Sequence, residues 1–353
     1  MKELMIYGAN GYSAEIILKE AIKNGLKPIV AGRNEKKILE VAKKYNLPHR
    51  VFSLDNKEQT IKSLTGISAV INCAGPFLNT FSPMVKACVD VGVDYLDISG
   101  ELLIFEEAAA RTEEFIKAGI TVMPGVGFDI VPSDCLSVHL KNRLPDATKL
   151  KLSFNIFDHQ LGRISRGTNA TFMKYLGKGN LVRKNGSIIT TTSGFDSYKE
   201  NFNGKHLRVT GLPWGDISTA YHSTGIPNIT AFMDLPLLSI TTMKLSNLFP
   251  SFWQSSFMQS ILAKIVLLMP EHPTEEMSNT CKSHIVGEVS NENNEVVRSM
   301  LEVPEVYRYT GICAIAVIKK LSTERKVGFQ TAGILLGADF ILGLEGTKRT
   351  DLN

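Results

Sequence analysis

The chain has 353 residues, of which 44% are hydrophobic and 21% charged, as in an ordinary globular protein. Its 39 basic and 35 acidic residues leave a formal net charge of +4. No basic cluster dense enough for a phosphate backbone is present, so we expect no nucleic-acid partner. The length predicts two domains, each large enough to bury a core without disulfides.

The first ~125 residues alternate between apolar runs and helical patterns. Six predicted strands are separated by five predicted helices, the last of them "LLIFEEAAARTEEFIKAG". The strands read, in chain order, "ELMIYG", "PIVAG", "HRVFSL", "SAVINCAG", "YLDISG" and "ITVMPG". This alternation predicts an α/β fold in which residues 1–130 form a doubly wound parallel sheet of the Rossmann type.

After Val126 the pattern of predicted elements changes to alternating strand patterns with fewer helices. A helix is predicted over Pro132–Leu144, "STAYHS" is predicted as a strand, and "LVRKNGSIITTT" predicts a hairpin that turns at Asn185 and Gly186. Residues 131–304 are therefore predicted to form an α+β domain with a mixed or antiparallel sheet, used for substrate binding or oligomerisation. The tail, 305–353, is predicted as helix, helix and a strand at "DFILGL", and we expect it to pack back on the first domain.

The turn after the first strand reads "GANGYSA" and resembles a phosphate-binding turn. Gly8 permits a tight turn, Gly11 lets the backbone approach a pyrophosphate, and Ala14 keeps the helix close to the sheet. Asn10 and Tyr12 lie in the same turn, where the free amides of a helix N-terminus face the phosphates. The position after the first strand favours dinucleotide binding, with a plain structural turn as the alternative.

The end of the second strand, in "VAGRNEKK", carries an arginine where an acid would bind the ribose hydroxyls of NAD. Arg33 lies 33 − 8 = 25 positions after Gly8, and no acid stands beside it. Arg33, with its neighbour Asn34 and with Lys36 or Lys37, is predicted to bind a 2′-phosphate. We therefore predict NADP rather than NAD. The alternative is a solvated arginine before a helix capped by Asn34.

Two later strands end in loops on the same carboxyl edge of the predicted sheet. Ala74, Gly75 and Pro76, in "NCAGPF", are predicted to let the cofactor lie against the fourth strand. "YLDISGE" places Tyr95 and Glu101 at the fifth, as acid or substrate-contact candidates. For each loop, small residues that merely permit a turn are the alternative.

Several motifs together resemble the saccharopine dehydrogenase-like oxidoreductases, in the branch that contains trans-acting enoyl reductases. Those motifs are "GANGYSA" with "AGRN", "NCAGPF", "YLDISGE", "GVGFDIVPSD", "ISRGTNAT", "GDISTAYHSTGIPNI" and "VGFQTAGILLGADFILGLEG". The resemblance covers nearly the whole chain and thins between about Leu237 and Asn279. It implies an NADP-binding Rossmann domain, a substrate domain on a mixed sheet, and hydride transfer to an imine or an activated carbon–carbon double bond.

A reductase needs a polar group to protonate its acceptor. Asp129, in "GFDIVPSD", is predicted as catalytic, with helix capping as the alternative. Tyr221 and His222 are further catalytic candidates, whose side chains would point to opposite faces of the predicted strand, so that only one reaches the interdomain cleft. Arg166 and Thr168 are predicted to hold a substrate anion, unless they form only a charged loop. The seven histidines show no metal-ligand spacing, so no metal is expected.

The remaining expectations concern location and partners. Five scattered cysteines without a CxxC pair, and a first strand within three residues of Met1, predict a cytoplasmic protein without a signal peptide. The apolar region 229–269 is interrupted by charges and prolines, so we expect no spanning helix, while a peripheral contact with a membrane and a homodimer stay open. Two hypotheses remain: an NADP(H)-dependent oxidoreductase with a small or lipid-like substrate, or a non-catalytic NADP-binding sensor or scaffold.

Overall fold

A computed structural model describes residues 3–156, 166–194, 196–268 and 281–353, except the side chains of 166–168 and 171. The chain divides into two compact units. The first comprises Met1–Cys135 and Tyr307–Glu345, and the second Leu136–Val306 and Gly346–Asn353.

The strands of the described residues carry the labels β1 to β16 in chain order. They are β1 (Glu3–Tyr7), β2 (Ile29–Gly32), β3 (His49–Val51), β4 (Ile67–Asn72), β5 (Asp94–Asp97), β6 (Thr121–Met123), β7 (Lys149–Asn155), β8 (Asn180–Lys184), β9 (Ser187–Thr191), β10 (Ser197–Phe202), β11 (Lys205–Gly211), β12 (Asn228–Met233), β13 (Lys282–Ser290), β14 (Val296–Pro304), β15 (Gly328–Phe329) and β16 (Lys348–Asp351).

The helices are labelled in the same way, and a 3-10 helix spans Phe340–Gly343. They are α1 (Tyr12–Lys23), α2 (Glu35–Tyr45), α3 (Lys57–Leu64), α4 (Phe77–Val91), α5 (Leu102–Ala110), α6 (Thr112–Ala118), α7 (Val131–Arg143), α8 (Arg166–Tyr175), α9 (Asp216–Thr224), α10 (Leu237–Ser246), α11 (Pro250–Gln254), α12 (Ser256–Leu267), α13 (Val306–Leu321) and α14 (Ala332–Leu336).

The first unit is built on a parallel sheet of seven strands in the order β15-β6-β5-β4-β1-β2-β3. The chain winds outward from β1 to β3, returns to β4 on the other side of β1, and winds outward again to β6. This reversal between β1 and β4 is the switch point of a doubly wound fold, so the predicted fold class is confirmed. The seventh strand, β15, comes from the tail and was not predicted.

Helix α2 shows how the local sequence produces these elements. Its buried residues Ile38 and Ala42 are four apart and so share one face, which packs on the sheet. The side chain of Asn34 accepts a hydrogen bond from the Lys37 amide at 3.1 Å and caps the first turn. Asn46, with φ of 51°, ends the helix in the left-handed conformation.

The second unit carries a mixed sheet in the order β10-β11-β12-β7-β13-β14-β16, with the β8–β9 hairpin joined to β12. Only the β7–β12 pair is parallel among the described pairs of this sheet. The β8–β9 hairpin turns at Asn185 and Gly186, whose φ values of 50° and 80° suit a tight primed turn. The predicted hairpin and mixed sheet are therefore confirmed.

Three predictions of secondary structure were wrong. "STAYHS" lies in helix α9, because Ile217 and Ala220 pack that segment inward and Gly225, with φ of 71°, ends it as a helix. The predicted single helix over 102–119 is divided into α5 and α6 at Arg111. "DFILGL" contains the 3-10 helix Phe340–Gly343 instead of a strand.

Candidate functional site

Two loops meet at the switch point of the first sheet. Gly8, directly after β1, has φ of 78°, and a Cβ placed there would lie 2.8 Å from the backbone nitrogen of Ala74. The amide of Cys73 donates to the carbonyl of Tyr7 at 2.8 Å, which continues the β1–β4 pairing up to this contact. Only glycine suits position 8, since a side chain would both strain the backbone and separate the loops.

The helix that begins at this point has amides available for a ligand. Its N-cap, Gly11, makes no side-chain hydrogen bond to the first turn, and the same holds for Pro76 before α4 and Glu101 before α5. By contrast, Asn34 and Asn56 cap α2 and α3 with their own side chains. The uncapped helices follow β1, β4 and β5, so their positive ends surround the crevice beside the switch point, where a pyrophosphate fits.

The end of β2 forms the other side of this crevice. Arg33 and Asn10 are exposed, and the Asn10 Oδ1 would lie 3.7 Å from a Cβ on Gly32. Burial raises the pKa of Tyr7, and the positive charge of Arg33 opposes that increase, so the guanidinium lies within electrostatic range of the β1 end. Asn34 caps α2, and Arg33, Lys36 and Lys37 are exposed around that cap, so their assignment to a 2′-phosphate stays a prediction.

The other predicted cofactor residues are placed differently from one another. Gly75 and Pro76 are exposed and Ala74 is half-buried, so this loop stays open to a ligand. The Tyr12 ring packs edge-on against Tyr307 of α13, with ring centroids 5.1 Å apart. This side chain therefore helps to pack α1 against α13.

A buried chain of hydrogen bonds joins the ends of β4, β5 and β6. The Asn72 amide and the Tyr95 hydroxyl lie 3.2 Å apart, and the hydroxyl donates to Oδ2 of Asp97 at 2.7 Å. The second oxygen of Asp97 accepts from the amide and hydroxyl of Ser99 and from the Gly125 amide, at 2.7 to 2.9 Å. Because Tyr95 is fully buried and its hydroxyl is bonded inside the protein, its placement fits a positioning residue and not a substrate contact.

Asp97 thereby fixes the two loops that carry Glu101 and Asp129. A Cβ on Gly100 would lie 3.1 Å from Oδ2 of Asp129, so the missing side chain leaves room for that carboxyl beside the β5–α5 loop. Burial, with the Asp97 charge second, raises the pKa of Glu101 to about 7. Desolvation by the atoms around its carboxyl raises the pKa of half-buried Asp129 to about 7 as well. Two carboxyls that can carry a proton near neutral pH thus lie at the edge formed by β5 and β6.

The remaining candidates belong to the second unit. Tyr221 and His222 are neighbours on α9 with ring centroids 5.6 Å apart, and both are half-buried. The guanidinium of buried Arg183 lies 4.1 Å from the Tyr221 ring centre, which gives this tyrosine a packing partner. Arg166 and Thr168 begin α8, and their side chains lie outside the described residues.

Sequence reasoning missed Asn72 and Gly100. The polar Asn72 at the end of an apolar strand was a usable signal, whereas the closeness of Gly100 to Asp129 depends on two loops brought together by the sheet. No cluster of three or more metal-ligating side chains occurs within the described ranges.

The sheet order and the glycine turn define the first unit as a Rossmann dinucleotide-binding domain. Residues 4–123 match the family model described as the saccharopine dehydrogenase NADP binding domain. This match confirms the predicted cofactor, NADP, and the predicted resemblance to saccharopine dehydrogenase-like oxidoreductases.

Individual relatives resemble the chain over a limited stretch. A probable mitochondrial saccharopine dehydrogenase-like oxidoreductase of Arabidopsis thaliana is 33% identical over 152 residues, which are 37% of this chain and 33% of that protein. A trans-acting enoyl reductase of Mycobacterium ulcerans is 26% identical over 155 residues, 40% of this chain and 36% of the relative. These alignments thus span about a third of the relatives' own length.

The fold resemblance extends further than the sequence resemblance. Apo saccharopine dehydrogenase (L-Glu forming) from Saccharomyces cerevisiae superimposes with a TM-score of 0.67, and the match covers 100% of both chains. The sequence identity is 12%, so this likeness concerns the fold alone.

Proposed function

We propose that the chain is an NADPH-dependent reductase that transfers hydride to a C=C or C=N acceptor in a small or lipid-like substrate, with Asp129 as the proton donor. The observation that carries this proposal is the raised pKa, about 7, of both Asp129 and Glu101 at the β5–β6 edge. A carboxyl whose pKa is about 7 is protonated in about half of the molecules at neutral pH, and in that form it can act as a general acid.

The cofactor's orientation follows from the two ends of the crevice. If Arg33 binds the 2′-phosphate beside β2 and the amides of α1 bind the pyrophosphate, the nicotinamide half extends towards β4 and β5. The carboxyls of Glu101 and Asp129 then lie on the nicotinamide side of the switch point. NADPH, when bound, supplies the hydride, and the acceptor requires one proton in addition.

The residues of the chain contribute the proton and its position. Asp129 donates its proton to the acceptor atom that gains negative charge, and it recovers a proton from solvent through its exposed side. The charge of Asp129 contributes to the raised pKa of Glu101, so ionisation of both carboxyls at once is disfavoured. Asp97 and Tyr95 hold the two loops, so the donor is fixed before the substrate binds.

The test follows NADPH oxidation across a panel of imines, enoyl thioesters and carbonyl compounds, and follows deuterium transfer from 4-deuterated NADPH into the product. Asp129→Asn should lower kcat by roughly two orders of magnitude or more without weakening NADPH binding. Asp90→Asn, at an exposed site on α4, makes the same chemical change and should leave both quantities unchanged.

Two results would contradict the proposal at different levels. NADPH that binds but is never oxidised across the panel would favour the non-catalytic sensor or scaffold. If Asp129→Asn has an unchanged kcat and pH profile, the chain is still a reductase, but Asp129 is not its proton donor.

A further inference from the structure

The segment 237–268, which contains α10, α11 and α12 and is called here the apolar platform, exposes large apolar side chains. Leu237 is 76% exposed, Phe249 68%, Phe257 69% and Leu268 87%. All large apolar side chains of the described residues that are more than 60% exposed lie in this segment. Single exposed leucines are ordinary on protein surfaces, but the concentration of so many in one segment of 32 residues is typical of an interaction site.

The helical periodicity of the platform shows that both faces of its helices are apolar. On α12, Leu262 and Val266 are buried while Phe257, Lys264 and Leu267 are exposed. On α10, Ile240 is buried, and Leu237 and Leu245 are exposed. A helix that only covers the core of a globular protein has a polar outer face, so these outer faces lack the usual solvated pattern.

The inner faces are anchored to the second unit. Asn247 accepts from the Ser193 amide at 3.2 Å and donates to the Ser193 carbonyl at 2.9 Å. A Cβ on Gly177 would lie 2.9 Å from the carbonyl oxygen of Pro250, so α11 packs closely on the turn after α8. The exposed side chains therefore stand on fixed backbone and do not belong to a loosely attached segment.

The charged residues of the apolar platform indicate which kind of partner it binds. Lys244 and Lys264 are its only charged residues, and no aspartate or glutamate occurs between 237 and 268. A surface that combines leucines, aromatic rings and lysines without acids is complementary to the headgroup and acyl boundary of an anionic lipid layer. None of the helices in the described parts of the chain is long and apolar enough to cross a membrane, so the contact would be a surface contact.

We propose that the apolar platform docks the protein on an anionic phospholipid surface, with the leucine and phenylalanine side chains entering the interface and exposed Lys264 contacting headgroups. This proposal does not depend on the reductase proposal, since it concerns a different unit of the chain and needs no cofactor.

The experiment is co-flotation of the full chain with vesicles of phosphatidylcholine containing about 30% phosphatidylglycerol, compared with pure phosphatidylcholine. We expect binding to the anionic vesicles that weakens in high salt. Leu248→Asp combined with Phe257→Asp should reduce the vesicle-bound fraction roughly tenfold or more, because charges replace two inserted side chains. Lys264→Glu should reduce binding to anionic vesicles only.

The matched control is Leu39→Asp, which places the same charge at an exposed leucine of α2 in the first unit and should leave vesicle binding unchanged. Circular dichroism and NADPH binding establish that each variant is folded. Absence of flotation by the folded wild-type chain would overturn the proposal. So would a wild-type dimer that the double variant converts to monomer without any vesicle binding, because the platform would then be an interface between two copies.

Discussion

The hydroxyl of Tyr95 donates a 2.7 Å hydrogen bond to Oδ2 of Asp97, and neither side chain is accessible to solvent. Burial raises the pKa of Asp97 while its hydrogen-bond donors act in the opposite direction, so the carboxylate depends on those donors to remain charged. The pair therefore links the stability of the first unit to the geometry of the β5 and β6 loops.

Tyr95→Phe should lower the free energy of unfolding by about 1–3 kcal/mol, because it removes one donor from a buried carboxylate without changing the ring. The measurement is a denaturant titration with NADP absent. Tyr45→Phe is the matched control, since Tyr45 donates to Glu15 near the surface and its loss should cost less. If both variants lose the same free energy of unfolding, the buried Tyr95–Asp97 hydrogen bond contributes no more than the one near the surface.

Gly8→Ala should weaken NADPH binding by roughly tenfold or more and also destabilise the protein, because a Cβ would press on the Ala74 backbone. Gly92→Ala is the control that separates the cost of backbone strain from the cost of the contact with Ala74. Gly92 has φ of 71°, but a Cβ there would meet nothing within 4 Å. This control should lose about 1 kcal/mol of stability and keep its NADPH affinity, as isothermal titration can establish.

Arg33→Asp should weaken NADPH binding by roughly two orders of magnitude and change NADH binding much less, since only NADPH carries the 2′-phosphate. Fluorescence titration with both cofactors measures the ratio. Lys43→Asp makes the same charge change at an exposed position near the other end of α2 and should affect neither cofactor strongly. If Arg33→Asp weakens the binding of NADPH and NADH equally, Arg33 does not bind the 2′-phosphate.

The raised pKa of Asp129 predicts a pH dependence of stability with a definite sign. Its pKa in the folded protein is about 7 against a usual value of 3.8, so the folded state binds a proton that the unfolded state releases between these values. The stability contributed by this group is complete below pH 3.8 and is lost as the pH rises through about 7. The wild-type protein should therefore lose stability relative to Asp129→Asn as the pH rises from 3.8 to about 7, and the difference should level off above that pH in paired denaturant titrations.

Catalysis should respond to the same proton. If Asp129 is the donor, kcat/KM of the wild-type enzyme falls as the pH rises above about 7, and this limb is absent from the residual activity of Asp129→Asn. An unchanged limb in the variant would assign the titration to another group.

The first unit was predictable because its signals are local. Apolar strands, a glycine turn at Gly8 and helix caps such as Asn34 each report on a few neighbouring residues, and the sheet order follows from standard connection rules. The strand β15 was not predictable in this way, because its pairing partner β6 lies about two hundred residues away in the chain.

The candidate site was only partly predictable for the same reason. Asp129 could be singled out from its position after a strand, but its raised pKa depends on atoms contributed by other loops. Tyr221 was assigned to a strand from the alternating pattern of "STAYHS", whereas packing of Ile217 and Ala220 stabilises a helix there. Tertiary burial outweighs such weak local preferences.

The pairing of β15 with β6 has a consequence for synthesis on the ribosome. Arg325 binds Asp94 through two hydrogen bonds of 2.8 and 2.6 Å, and the Gly328 amide donates to Ile120. Until these late residues emerge from the exit tunnel, the nascent first unit has an unpaired strand edge at β6, and the Asp94 carboxylate lacks its arginine partner. Because an open strand edge can pair with other chains, we expect the first unit to be most prone to aggregation before residues 325–329 have been synthesised.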